Sequence, residues 1–225
     1  MNVIFSYKQL MRGALACVVL AGSQLAFAQS LPSGFAAGSV IKLNSGSGPF
    51  NGSVVSGAST GASFESFCLE KLEYMNIGQN LYVQGVTFAT TNASGTYPTT
   101  SDPLSYQTAW LFTQYSNGAY NANANVKTDM QNAFWHLEDE VALSALSSTA
   151  QSYVAAANTA VTNGYASYGN ARVLNLYKDA SYSMHSQDQL VMLAPVPEPE
   201  TYAMMLAGLG LMGAVARRRQ TKKSA

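Results

Sequence analysis

The sequence is poor in the residues that usually carry catalysis and metal binding. Two cysteines and two histidines are all it has in 225 residues, and only 11% of it is charged. His136, His185 and Cys68 come from distant segments, so no compact ligand spacing supports a metal site. No Asp-x-Asp-x-Asp-Gly calcium loop is present. Carboxylate pairs for glycoside hydrolysis exist at Glu70 and Glu73 or at Glu138 and Glu140, but nothing selects among them. No internal repeat occurs, which excludes solenoids and propellers. The expectation is a protein with no cofactor and no metal that is not a turnover enzyme.

Formal neutrality of the whole chain hides an asymmetry, because much of the positive charge lies near the two ends. From Gln29 to Ala194, five basic residues (Lys42, Lys71, Lys127, Arg172, Lys178) stand against ten acidic ones, a net of about −5. That leaves no basic stripe for phosphate contacts, so nucleic acid is excluded as a partner. Asn, Ser, Thr, Gly and Tyr dominate instead, a vocabulary suited to hydrogen bonding with glycans or matrix proteins.

Both ends read as addresses. Lys8 and Arg12 form a basic region, an apolar stretch starting at Gly13 to Leu20 follows, and Ala26-Phe27-Ala28 has the small-x-small form of a signal-peptidase site. Cleavage after Ala28 is expected, with residues 1–28 as the signal peptide. At the other end, Pro197-Glu198-Pro199 forms a rigid elbow whose prolines resist helix. It is followed by an apolar run, residues 202–216, and by Arg217, Arg218 and Arg219. Those 15 residues make a helix about 23 Å long, short of the roughly 30 Å hydrocarbon core, so a permanent anchor is not expected. The arginines belong on the cytoplasmic side, which leaves the elbow and all before it outside.

The elbow, the apolar helix and the arginine triplet together closely resemble the PEP-CTERM sorting signal of Gram-negative bacteria. The resemblance implies export through the inner membrane, processing by exosortase, and delivery to the cell surface or the exopolysaccharide (biofilm) matrix. It divides the chain into a signal peptide (1–28), an exported domain (29–194) and a sorting signal (195–225) with a transmembrane helix at 202–216. A plain tail anchor explains the apolar run and the arginines but not the Pro-Glu-Pro.

Within the exported domain, short β-prone pieces (Gly38 to Leu43, Gly52 to Ser56) alternate with Gly/Ser/Pro turns. Ser63 to Glu70 reads as a strand with Phe64, Ser66, Cys68 and Glu70 on one face and Glu65, Phe67 and Leu69 on the other. A strand at Asn80 to Thr90 and a loop from Thr91 to Pro103 come next. The period then changes to helical over Leu104 to Tyr115, from Thr128-Asp129 through Met130, Phe134, Leu137, Val141 and Ala145, and over Ala150 to Thr162. Strands at Arg172 to Tyr177 and Gln189 to Leu193 complete the domain. The expected fold class is α+β: a β-sandwich or barrel-like sheet with an inserted helical subdomain, plus the C-terminal transmembrane sorting helix.

Cys17 leaves with the signal peptide, so Cys68 is alone in an oxidising compartment. Unpaired cysteines are most often small buried apolar residues. Phe67-Cys68-Leu69-Glu70, the helix at Ala109 to Phe112 and Gln131-Asn132-Ala133-Phe134-Trp135 together resemble the Cys-Gln thioester domains of bacterial adhesins, over roughly residues 63–140. Their Thr-Gln-x-Ala-(Ile/Val)-Trp signature is matched at Gln131, Ala133 and Trp135, while Met130 and Phe134 depart from it. The resemblance implies a thioester between Cys68 and Gln131, open to capture by an amine or hydroxyl on a partner. Its formation needs a raised thiolate fraction, a polarised carboxamide and a short approach; Gln131 is expected in the first turn of its helix, whose free N–H groups could polarise the carboxamide. His136 points away from Gln131, and the Glu138 to Glu140 run reads as a solvated face. The alternative is a passive structural or glycan-binding matrix protein in which Cys68 and Gln131 are ordinary core residues.

Overall fold

The structure is a computed structural model that describes residues 34–46, 48–91, 101–120, 125–194 and 204–212. Six antiparallel strands, β1 (Val40–Gly46), β2 (Phe50–Ser56), β3 (Ser63–Cys68), β4 (Asn80–Thr87), β7 (Ala171–Tyr177) and β8 (His185–Met192), close into a barrel in the order β1-β2-β3-β8-β7-β4. Between β4 and β7 lie a two-stranded hairpin, β5 (Ala89–Thr91) and β6 (Ser101–Pro103), and then three helices, α1 (Tyr106–Ser116), α2 (Val126–Leu137) and α3 (Ser148–Thr162). A fourth helix, α4, covers residues 204–212. The α+β class and barrel-like sheet expected from the sequence are therefore present, the sheet as a closed barrel. Among the described residues, closure leaves the six barrel strands no long exposed edge to pair with another chain.

Period-two alternation sorts the side chains of β3 between two cores. Phe64 points into the barrel with Leu43, Val54, Leu81, Leu174 and Val191. Phe67 and Leu69 point out, beneath the helices. Phe67 is fully buried and meets Phe112, Tyr115 and Phe134 edge to face, with ring centroids 5.9, 5.2 and 5.0 Å away. Such edge-to-face contacts satisfy the ring quadrupoles and add to the area each aromatic buries. Gly52 on β2 makes room for the Phe64 ring, which a Cβ there would strike.

Local signals explain the helix ends. Ser105 caps α1 by accepting from Thr108 N, and Ser147 caps α3 by accepting from Ala150 N. The Ser147 hydroxyl also donates to Asp129 Oδ1 at 2.6 Å, tying the start of α3 to α2. Gly118 and Gly164 follow α1 and α3 with φ of 81° and 98°, the left-handed turn that ends a helix. Two sequence expectations need correction here. The second helix starts at Val126, before the Thr128-Asp129 pair, and stops at Leu137 instead of running to Ala145, because Asp139 takes φ of 62° and the chain re-forms only a 3₁₀ turn at Leu143–Ala145. The segment from Thr91 to Pro103, expected to be irregular, contributes the β5–β6 pairing at its ends.

The signal peptide with Ala28, the elbow Pro197, Glu198 and Pro199, and Arg217, Arg218 and Arg219 lie outside the described residues. Of the expected helix at 202–216, residues 204–212 are helical. Among the described residues, no helix is long and apolar enough to cross a membrane.

Candidate functional site

Cys68 ends β3 where the sheet is open on one side. Pairing of β2 with β3 stops at Phe50↔Ser66, since β2 begins at Phe50 and the chain enters it through Gly48-Pro49. On the other edge β8 continues, with Cys68 opposite Gln189. The backbone N–H and C=O of Cys68 on the open side would therefore be buried without a strand to pair with, which is costly. The Gln131 side chain fills that place. Its Nε2 donates to Cys68 O at 2.7 Å, and its Oε1 accepts from Cys68 N at 3.0 Å. A backbone carbonyl can only accept and a backbone N–H can only donate, so the orientation of the carboxamide is dictated. Gly48, with φ of 104°, lies directly over it: a Cβ at that position would stand 2.9 Å from Gln131 Oε1.

The helical layer delivers Gln131 to this spot. Met130, Ala133 and Phe134 on α2 are fully buried in the core around Phe67, and Gln131, 3% exposed, is carried against the end of β3. Because α2 begins at Val126, Gln131 sits in its second turn, where the backbone N–H groups are already spent within the helix. The donor at the carboxamide oxygen is the Cys68 N–H, and the expectation of first-turn donors is corrected accordingly. His136, as expected, is turned elsewhere; its Nδ1 lies 2.8 Å from Val141 O.

Cys68 is buried, as unpaired cysteines most often are, and the raised thiolate fraction that thioester formation calls for is not present in this state. Burial pushes the Cys68 thiol up to about 12, with Gln189 pulling it down and Glu70 pushing it further up. The ground state is a neutral thiol, not an enriched thiolate. Its Sγ donates to Gln187 Oε1 at 2.8 Å and receives Gln189 Nε2 at 3.5 Å.

Around the thiol lies a polar cluster that the sequence reading did not assemble. Glu70 is 2% exposed; burial and the charges of Asp188 and Glu73 raise its carboxyl to about 8, and its Oε1 has no hydrogen-bond partner among the described residues. Burial would lower the His185 pKa, but Asp188 and Glu73 outweigh it and hold the imidazolium up to about 10. Its Nδ1 lies 2.6 Å from Glu73 Oε2 and its Nε2 3.3 Å from Asp188 Oδ1. Glu138, expected to be solvated, is buried and accepts from the Ser105 hydroxyl at 2.8 Å, and burial raises it to about 7. Among the described residues, no group of three or more His, Cys, Asp or Glu side chains is disposed to hold a metal ion. The signal that marks Gln187 and Gln189 is their two-residue spacing in a polar run, His185 to Gln189, leading straight into Leu190 and Val191.

Chemically, the site sets a carboxamide, its oxygen polarised by a backbone donor, against the backbone of a residue that carries a neutral thiol. Water is excluded from both. No curated protein and no solved structure matches the chain significantly. A family model described as the PEP-CTERM protein-sorting motif matches residues 195–220, spanning the Pro197-Glu198-Pro199 elbow and the arginine triplet. The chain therefore carries a PEP-CTERM protein-sorting motif at its C-terminal end.

Proposed function

We propose that this is an exosortase-sorted protein of the bacterial cell surface or extracellular matrix whose barrel domain is a covalent adhesin. The PEP-CTERM motif at 195–220 supports the export and sorting half of that reading. In the remaining detail, Pro197, Glu198 and Pro199 mark the processing region, residues 202–216 hold the chain in the inner membrane of a Gram-negative cell until processing, and Arg217 to Arg219 stay on the cytoplasmic side.

The observation that carries the adhesin half is the pairing of the Gln131 carboxamide with both backbone groups of Cys68. Attack of Cys68 sulfur on the Gln131 carbonyl carbon forms the C–S bond, breaks the C–N bond and sends the thiol proton out with ammonia. The Cys68 N–H, already on Oε1, stabilises the oxyanion of the tetrahedral intermediate. A partner amine or hydroxyl then takes the acyl group, giving an amide or ester at Gln131 and returning Cys68 to a thiol. Each molecule reacts once, so the domain crosslinks rather than turns over.

Intact-mass spectrometry of the exported protein tests this. The expected result is a mass one ammonia below the sequence value, shifted by methylamine to an adduct that maps to Gln131. An unmodified mass in both wild type and Cys68→Ala leaves Gln131 as a structural edge cap and the protein as a noncovalent matrix component.

A further inference from the structure

Two further glutamines grip the Cys68 sulfur itself. Gln187 and Gln189 stand at positions i and i+2 of β8, on the face that looks into the barrel with Cys68, and both are buried. The orientation of each carboxamide follows from a neighbour that can only accept. Gln187 Nε2 donates to the Glu70 backbone carbonyl, so its Oε1 must face Sγ, and Sγ must be the donor of the 2.8 Å contact. Gln189 Nε2 donates to the Asp188 backbone carbonyl at 3.2 Å, and the same nitrogen reaches Sγ at 3.5 Å. The Ser66 hydroxyl holds the other end of Gln189, donating to its Oε1 at 2.9 Å. The sulfur thus has one fixed acceptor and one fixed donor in a site closed to water.

We infer that Gln187 and Gln189 are the sulfur clamp of the Cys68–Gln131 pair: Gln189 stabilises the departing thiolate when an acceptor captures the acyl group, and Gln187 receives the S–H once the sulfur is protonated. The inference rests on the thioester reading for its reaction, though not for its geometry. In the capture step the amine nitrogen bonds the Gln131 carbonyl carbon, the C–S bond breaks with its electron pair going to sulfur, and one amine proton ends on Sγ. An unsupported thiolate is a poor leaving group in this buried site, consistent with a thiol raised to about 12 by burial. The clamp also explains why Gln187, although it touches Sγ, is not the acyl donor. A thiol that donates to Oε1 lies near the amide plane at the oxygen, whereas attack requires approach to the carbon from the face of that plane.

The test uses the full chain carrying Cys17→Ser, so that Cys68 is the one thiol. Methylamine capture is followed by mass for wild type, Gln189→Met and Gln187→Met, with Ser66→Ala as the gentler variant that only releases Gln189. Loss of one hydrogen bond to the leaving sulfur slows capture by about tenfold in Gln189→Met and by less in Ser66→Ala. The S–H stretching band in the Raman spectrum reads the clamp without reference to any reaction. It is recorded after methylamine treatment, when Cys68 is a thiol whether or not a thioester had formed, and moves to higher frequency in Gln187→Met. Capture at the wild-type rate in Gln189→Met and Ser66→Ala, or an S–H band unmoved in Gln187→Met, overturns the clamp. An adduct on Gln187 overturns it as well. A wild-type protein of unmodified mass refutes the thioester and with it the clamp's role in capture, while the S–H band still decides the geometry.

Discussion

Gln131 pairs with Cys68 as a neighbouring strand would, donating to its carbonyl at 2.7 Å and accepting from its amide at 3.0 Å. One side chain from the helical layer therefore completes the barrel edge and lies against the thiol-bearing residue. Structure and proposed chemistry are coupled at this point, so substitutions here have two readouts.

Gln131→Ala leaves a buried N–H and a buried C=O unpaired at Cys68. Each orphaned group costs about 1–3 kcal/mol, and the variant is expected to lose about 2–4 kcal/mol of stability in urea unfolding. A loss below about 0.5 kcal/mol would mean that water or a rearranged strand replaces the carboxamide.

Gly48→Ala acts on the same carboxamide from above. The new methyl group would meet Gln131 Oε1 at 2.9 Å, and alanine is strained at φ of 104°. A destabilisation of about 1–3 kcal/mol is expected, together with slower methylamine capture because the carboxamide is displaced. Unchanged thermal stability with unchanged capture would show that the turn relaxes without touching Gln131.

Phe67→Ala removes the ring around which Phe112, Tyr115 and Phe134 pack. A cost of about 3–5 kcal/mol is expected, large enough to loosen the helices from the barrel. Amide hydrogen exchange would then rise first in α1 and α2; uniform exchange across the domain would contradict a helical layer held to the barrel through Phe67.

Stability should fall as the pH rises through neutrality. Glu70 and Glu138 hold their protons more tightly when folded, up to about 8 and about 7 against an ordinary 4.5, so ionising them costs stability progressively from pH 4.5 to those values. His185 is raised to about 10 from 6.5, so its contribution is complete below pH 6.5 and is lost as pH rises through about 10. All three bind more protons folded than unfolded, which gives the same negative slope. Chemical denaturation is expected to show greatest stability near about pH 5 and a decline toward pH 9. Glu70→Gln should flatten the slope between pH 5 and 8; a slope unaffected by that change would remove Glu70 as its source.

The sorting motif predicts a different kind of outcome. Replacing Pro197, Glu198 and Pro199 by alanine should leave the C-terminal segment attached in cells that export the protein, seen as a larger mass and retention in the membrane fraction. Normal processing of that variant would place recognition elsewhere in 195–220.

Much of this protein is determined locally and was legible in the sequence. The Pro-Glu-Pro elbow and arginine triplet are contiguous, so their chemistry needs no fold to assemble it. Alternation in Ser63 to Cys68 predicts which side chains share a face, because the β pleat sets that period on its own; the fold decides which face meets the barrel and which the helices. The helix ends at Gly118 and Gly164 follow from φ values that a few residues control, whereas α1 and α3 start at Tyr106 and Ser148, each two residues from the expected Leu104 and Ala150, where Ser105 and Ser147 cap them. Tertiary structure decided the rest. The last strand is expected to start at Gln189, yet the polar residues His185 to Asp188 before it form the first part of β8, because partners from other elements satisfy their buried amides and charges. The thiol's protonation was likewise invisible in sequence, since burial, not a neighbouring residue type, holds it neutral. Gln131 stands between the two cases. The sequence marks it through its spacing to Trp135, but only the tertiary pairing, with β2 stopping two residue pairs short of Cys68, creates the open edge that its carboxamide fills.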